Sequence, residues 1–261
     1  MCNINVVFNR RKVDDVRVNE LMNVMSFNSF LNNSDGEGFI SLSGKKVLST
    51  DRSRGKIIYS GKPSYFLATH QRIATSGKND ANIHPHPTEN LILLHNGIFS
   101  GKGDKDESDT RQYLRLLDDT YIANGGDIVK SIKDVSKIVS GTYSILVYEI
   151  KTGKFFYFKE DCTNMYVVAN DDWLVLSTNY NNIKYARNYL KIKQNVREVK
   201  PFRIYDVLKG FKSVAFFSPK KSVVNSKDAC LSDFVKDDFK DYFKDATGLM
   251  LDEIEINRGG D

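Results

Sequence analysis

Four groups of side chains stand at places where they could serve one reaction. Cys2 follows Met1 directly. Methionine aminopeptidases remove Met1 when the second residue is small, and Cys is small enough. Processing would leave a thiol and a free α-amino group on one residue. A thiolate is a strong nucleophile. An α-amino group, with an ordinary pKa of about 7.7–8.0, suits a general base at neutral pH. In LILLHNG, residues 91–97, an apolar strand runs into Asn96 and Gly97. A side-chain amide and a backbone N–H there could face one developing oxyanion, although Asn-Gly is also a common turn between strands. Arg72 sits inside the β-type run THQRIAT. Its planar fork of donors suits a carboxylate, and an edge-strand Arg in a surface ion pair is the plainer reading. Asp109, in Ser108-Asp109-Thr110, could hold an ammonium group or simply cap a helix.

The four histidines, His70, His84, His86 and His95, all fall between positions 70 and 95. His84 and His86 would share a strand face, which makes a zinc or iron site conceivable. Pro85 and Pro87 work against a regular strand there, and no carboxylate or Cys stands at ligand spacing apart from nearby Glu89. Cys2, Cys162 and Cys230 are odd in number and widely spaced, so neither a disulfide framework nor a CxxC metal pair is expected. Cys162 and Cys230 read as small buried or half-buried residues.

These groups need elements to hold them. A strand is expected over 2–8, and Val18, Leu21, Met22 and Met25 set an amphipathic helix over 18–30. A turn at 32–38 precedes β-type runs at 39–42, 45–50, 55–60, 65–75 and 91–99. One helix should run from Ser108, as its N-cap with Asp109 in the first turn, to about Ala123 with Tyr113, Leu114, Leu117, Tyr121 and Ile122 inward. A second should run from about Asp127 to Val139 with Ile128, Val129, Ile132, Val135 and Val139 inward. Strands GTYSILVYEI, KFFYFKE, MYVVAN and WLVLSTN follow, then a short helix over 182–190, then FRIYDV and KSVAFF. Strands, helices and strands again favour two packed sheets with helices outside over a doubly wound fold.

Composition sets outer bounds. The chain has 261 residues, 41% hydrophobic and 27% charged, which excludes disorder throughout. No apolar run is long enough for a membrane-spanning helix. The basic residues near the start follow the apolar stretch, the wrong order for a secretory signal, so a cytoplasmic location is expected. A net charge of +5 is mild, and direct nucleic-acid binding is not expected.

In chain order, Cys2, THQRIAT with Gly77, NIHPHPTENLILLHNG and SDT resemble the glutaminase domain of class II glutamine amidotransferases. That family includes the amide-transfer halves of glucosamine-6-phosphate synthase, amidophosphoribosyltransferase and asparagine synthetase. HPHP and LLHNG carry the match most specifically. The turn Asp35-Gly36-Glu37-Gly38 resembles the family's aspartate-glycine turn, and PFRIYDV is similar to its final strand. The resemblance implies an α+β fold of the N-terminal nucleophile (Ntn) hydrolase type, an αββα four-layer sandwich of two mainly antiparallel sheets flanked by helices. It implies that Cys2 is the nucleophile with its own α-amino group as base. Asn96 and Gly97 would form the oxyanion hole. Arg72 would clamp the α-carboxylate of glutamine and Asp109 its α-ammonium, with Ile73, Thr75 and Ser76 lining the substrate site. Attack on the side-chain amide would release ammonia and leave a γ-glutamyl thioester, which water would cleave to glutamate. No metal or organic cofactor is implied.

The chain departs from the family pattern at several places. Asn3 stands where Gly is common after the nucleophile, Asn32-Asn33 where Arg-Gly is common, Ile73 where Trp is usual and Ser76 where His is usual. Arg111 follows Asp-Thr where an acidic residue is common. Residues 1–217 would form the glutaminase domain. Residues 218–261 would form a Lys/Asp-rich tail with one amphipathic helix, capped by Ser232, ended by Gly248 and apolar at Leu231, Val235, Phe239, Tyr242 and Ala246. The tail is too short for a synthase half, so the expected partner is a separate ammonia-accepting synthase or transferase subunit. It would dock through the tail helix or the Gly-rich segment 98–107, which could also be a lid. Two other readings keep the fold: a hydrolase or transferase acting on another γ-glutamyl compound, and a non-catalytic scaffold. A metal-binding protein built on the histidines is a third.

Overall fold

A computed structural model of the chain describes residues 2–45, 47–73, 80–100 and 107–220. The described residues belong to one compact unit, Met1–Val223; the other, Val224–Asp261, lies outside them, as do the expected tail helix and Cys230. The strands are β1 (Asn3–Asn9), β2 (Glu37–Ser43), β3 (Val47–Ser53), β4 (Phe66–Gln71), β5 (His86–Pro87), β6 (Leu91–Phe99), β7 (Gly141–Glu149), β8 (Lys154–Lys159), β9 (Tyr166–Ala169), β10 (Trp173–Ser177), β11 (Arg197–Glu198), β12 (Arg203–Asp206) and β13 (Lys212–Phe216). The α-helices are α1 (Val16–Phe30), α2 (Asp109–Ala123), α3 (Ile128–Ser136) and α4 (Tyr180–Tyr189).

Alternation along the strands builds the layers. In β1, Ile4, Val6 and Phe8 turn to one face and meet Leu94 and Leu146 of the other sheet, while Val7 turns to the opposite face and meets helix residues. One sheet has the order β11-β9-β10-β1-β4-β2-β3 and the other β13-β12-β8-β7-β6-β5, with every pairing antiparallel. A core between the sheets joins Ile4, Phe66, Leu94, Leu146, Tyr157 and Leu176. A second core lies under α2 and α3, around Leu93, Tyr113, Leu117, Ile132 and Ile145. A third lies under α1 and α4, around Leu21, Met25, Val175 and Ile183. Helix, sheet, sheet, helix is the α+β four-layer sandwich that the resemblance implied.

Each of the four α-helices among the described residues begins at a residue whose side chain satisfies an orphan N–H. Asp15 accepts from Arg17 N, Ser108 from Arg111 N, Asp127 from Lys130 N, and Asn179 from Asn181 N. Ser108 is therefore the cap expected of it, and Asp109 is the first residue of α2.

Several expectations need correction. Residues 55–60 form no strand. Their backbone groups are taken by side chains instead: Ile57 N–H donates to Glu37 Oε2 at 2.7 Å and Tyr59 N–H to Asn23 Oδ1 at 2.8 Å. Ile122 is 62% exposed, because it lies about 100° beyond Tyr121 around the helix axis, past the buried face. The run at 45–50 becomes a strand only from Val47, after a turn at 44–45, and extends to Ser53. The strand at 65–75 ends at Gln71; Arg72 N–H then bonds the Gly36 carbonyl at 2.7 Å, and residues 74–75 lie outside those described. The helix over 182–190 starts earlier, at Tyr180, and β11 was not foreseen. The expected helix to Val139 ends at Ser136. At the far end the chain stays docked beyond 217, where Phe217 is buried and Lys220 N–H donates to the Ser136 carbonyl at 2.7 Å.

Candidate active site

Cys2 precedes β1, whose Asn3 pairs with Gln71 of β4. The next step of that register sets Cys2 beside the end of β4. Its Sγ accepts from the Ile73 N–H at 3.4 Å and donates to the Ile73 carbonyl at 3.6 Å. Burial pushes the thiol pKa up; the Ile73 N–H, the chain's amino terminus and Arg72 pull it down, and Asp109 adds to the rise. The sulfur therefore lies within the fields of both Arg72 and Asp109.

Arg72 is not an edge-strand residue. β4 lies between β1 and β2, and Arg72 is 6% exposed. Both of its backbone polar groups are held by one turn, with Asp35 N–H on its carbonyl at 3.0 Å and its own N–H on the Gly36 carbonyl. Asn33, from the departing Asn32-Asn33 pair, donates its side-chain amide to the Ser29 carbonyl at 3.2 Å and so ties this turn to the end of α1. Ile73 is 38% exposed at the mouth of the site. Thr75 and Ser76 lie outside the described residues.

Asn96 and Gly97 do not form a turn. They lie inside β6, paired with Ser144 and Tyr143 of β7. Alternation turns Asn96 to the same face as Ile92 and Leu94, toward the gap between the sheets, where Ile4, Phe8 and Ala68 of the other sheet also point. Asn96 is 3% exposed, and its Oδ1 has no hydrogen-bond partner among the described residues. That oxygen can take a ligand N–H, while an oxyanion would have to be served by the Nδ2 donors of the same amide. Gly97 has φ +143°, and a Cβ there would lie 1.9 Å from the Thr142 carbonyl oxygen, so only glycine fits.

Asp109 binds β6 to α2. Its Oδ2 accepts from the Phe99 N–H at 2.7 Å and its Oδ1 from the Thr110 N–H at 2.8 Å. The carboxylate is half-buried and keeps further lone pairs for a cation.

The four histidines come together beneath these groups. His70 Nε2 donates to the His95 carbonyl at 2.9 Å, and His84 Nδ1 accepts from the His95 N–H at 3.1 Å. His70 and His84 stack with centroids 3.9 Å apart, and His86 lies 4.4 Å from His84. The His95 ring stacks on Phe99 and shares a 2.8 Å hydrogen bond with Thr110 Oγ1. Burial pushes all four imidazole pKa values down, His70 to about 3. Their ring nitrogens supply no metal-ligating group of three; among the described residues only Glu160, Asp161 and Cys162 do, with candidate ligand atoms within 4.8 Å of one another. Sequence reasoning weighed the histidines as metal ligands and missed this packing role. Their confinement to positions 70–95 was the available signal. A cavity of about 340 Å³ lies elsewhere, lined by Thr50, Asp51, Arg52, Pro85, Pro87 and Ile92, and includes none of the candidate site residues.

Fold and site geometry together place the chain in the class of Ntn-hydrolase-like sandwiches with a cysteine at the start of a central strand. Comparison with known proteins narrows this. No protein-family model matches the chain. The chain is 36% identical over 91 residues to a glutamine–fructose-6-phosphate aminotransferase (isomerizing) of Helicobacter pylori, covering 30% of this chain and 15% of that protein. A protein of the same name from Bradyrhizobium diazoefficiens is 39% identical over 69 residues, 22% of this chain and 11% of the relative. Glutamine phosphoribosylpyrophosphate amidotransferase from B. subtilis, solved with ADP and GMP, superposes with a TM-score of 0.61 at 18% identity, over 83% of this chain and 49% of that one. The chain therefore spans half or less of these proteins. Its resemblance to class II glutamine amidotransferases holds in both sequence and fold.

Proposed function

We propose that this chain is the glutaminase unit of a class II glutamine amidotransferase. The observation that carries the reading is the Cys2 thiol, set on the backbone of Ile73 and within the fields of Arg72 and Asp109. Glutamine carries an α-carboxylate and an α-ammonium. Arg72 grips the first and Asp109 the second, which selects an α-amino acid over a plain amide. With Met1 removed, the α-amino group of Cys2 takes the thiol proton and the sulfur attacks the side-chain amide carbon. The carbonyl oxygen becomes an oxyanion facing the Asn96 amide and the Gly97 N–H. The C–N bond breaks, the amine leaves as ammonia with the proton from the α-ammonium, and a γ-glutamyl thioester remains. Water, deprotonated by the same amine, attacks the thioester, and glutamate departs as the thiol is restored.

Ammonia would pass to a synthase or transferase unit, whether a further domain or a partner subunit. A reducing, cytoplasmic setting fits a chemistry that requires a free thiol. Among the described residues no helix is long and apolar enough to cross a membrane.

The test combines mass spectrometry of the native amino terminus with glutamate release from glutamine. Met1 should be absent, Cys2→Ala should lower turnover at least roughly a thousandfold, and a glutamine-like diazoketone should label Cys2 alone. A processed chain that neither labels nor releases glutamate would overturn the reading, and faster turnover of another γ-glutamyl amide would reassign the substrate.

A further inference from the structure

The His95 peptide is gripped at both of its polar ends by imidazoles. β5 pairs with β6 only at His86–Leu93 and Pro87–Ile92, so β6 has no strand neighbour on that side when it reaches His95. Backbone N–H and C=O groups left there would be buried and unpaired, which burial penalises. His84 Nδ1 takes the His95 N–H, and His70 Nε2–H serves the carbonyl. Each bond fixes a tautomer. His84 must keep its Nδ1 lone pair, and His70 must carry its proton on Nε2. The two rings stack on each other, so neither can turn alone.

Asn96 follows directly, and by the two-residue period of a strand the next backbone N–H on this side belongs to Gly97. From the His95 ring, the bond to Thr110 Oγ1 leads to Asp109, itself held on Phe99 N–H. One peptide thus joins the Asn96–Gly97 segment to the start of α2.

We propose that His84 and His70 are positioning residues, a clasp on the His95 peptide that sets the Asn96 amide and the Gly97 N–H for the reaction, with Thr110 relaying that setting to Asp109. The proposal rests on the glutaminase reading above and deepens it. Both imidazoles act through the backbone of His95.

The experiment uses the full processed chain and three variants. Steady-state kinetics with glutamine is read beside amide hydrogen exchange over 91–99 and thermal melting. His84→Ala should lower kcat roughly ten- to a hundredfold, leave KM within about threefold, and speed exchange of the His95 amide. His84→Asn, whose Oδ1 can still accept the N–H, should restore most of kcat. Thr110→Val, close to isosteric and therefore expected to fold, should give a smaller fall in kcat. Faster His95 exchange with unchanged kcat overturns the proposal, and so does an equal kcat loss in His84→Asn and His84→Ala. Unchanged exchange in His84→Ala shows that there is no clasp while leaving the glutaminase reading standing. An unlabelled, inactive wild type removes the glutaminase reading and this proposal with it.

Discussion

At the scale of single residues, the thiol of Cys2 and the guanidinium of Arg72 are placed by neighbours rather than by their own chemistry. Burial raises the Cys2 pKa above its ordinary value despite the Ile73 N–H and Arg72. With Met1 attached, alkylation of Cys2 should therefore be slow at pH 7 and should climb about tenfold per pH unit through pH 9. Rates that level off near neutral pH would contradict this. Arg72 sits 6% exposed at the end of an interior strand, where a bidentate grip can be held rigid. On the proposed reading, Arg72→Lys keeps the charge and loses the fork. KM for glutamine should rise roughly tenfold or more while labelling of Cys2 by a small alkylator stays within about twofold. Equal falls in both would mean that the variant disturbed the nucleophile instead.

At the scale of elements, β6 carries the site and is fixed along its length. β7 pairs with it from Leu91 to Phe99, α2 is tied to it through Asp109, and the histidines hold it at His95. Gly97 is the tightest point, with left-handed φ and Thr142 backbone where a Cβ would go. Gly97→Ala should cost about 2–4 kcal/mol and lower the melting temperature by several degrees, because backbone cannot yield as a side chain can. A melting curve identical to wild type would show that β6 and β7 separate there freely. The Asn-Gly pair read as a turn in isolation because turns are where that dipeptide most often meets its need for positive φ. The close approach of β7 supplies the same need in mid-strand.

At the scale of the whole molecule, four buried neutral histidines make stability depend on pH. Folded His70 titrates at about 3 against roughly 6.5 in the unfolded chain, and His84, His86 and His95 shift in the same direction. Between those values the unfolded chain binds protons that the folded one does not. The histidines' contribution is therefore full above about pH 6.5 and falls as pH drops, by at most roughly 1.4 kcal/mol per unit for a group between its folded and unfolded values. Glu160, its pKa raised by burial, works in the opposite sense, one group against four. Urea midpoints measured at pH 7 and pH 5 should drop markedly at the lower value, and equal midpoints would mean that the imidazoles are not buried together. His70→Gln should lessen the slope, since it keeps a donor for the His95 carbonyl without the titration.

The linear chain already carried the α+β class, the strand–helix–strand order, the cap at Ser108, and the short motifs around Cys2, Arg72, Asn96 and Asp109. Those are local properties: a period of two or of 3.6, a capping side chain, a reactive residue beside the right neighbours. What the tertiary structure decided is everything that depends on residues far apart in sequence. Residues 55–60 look β-forming, yet Glu37 and Asn23 claim their backbone. Arg72 looks like an edge residue until β2 and β1 close on both sides of its strand. The histidines could have met a metal, and instead they stack and hold one peptide. A sequence states which bonds each group can make, and only packing in three dimensions determines which partner comes within 3 Å.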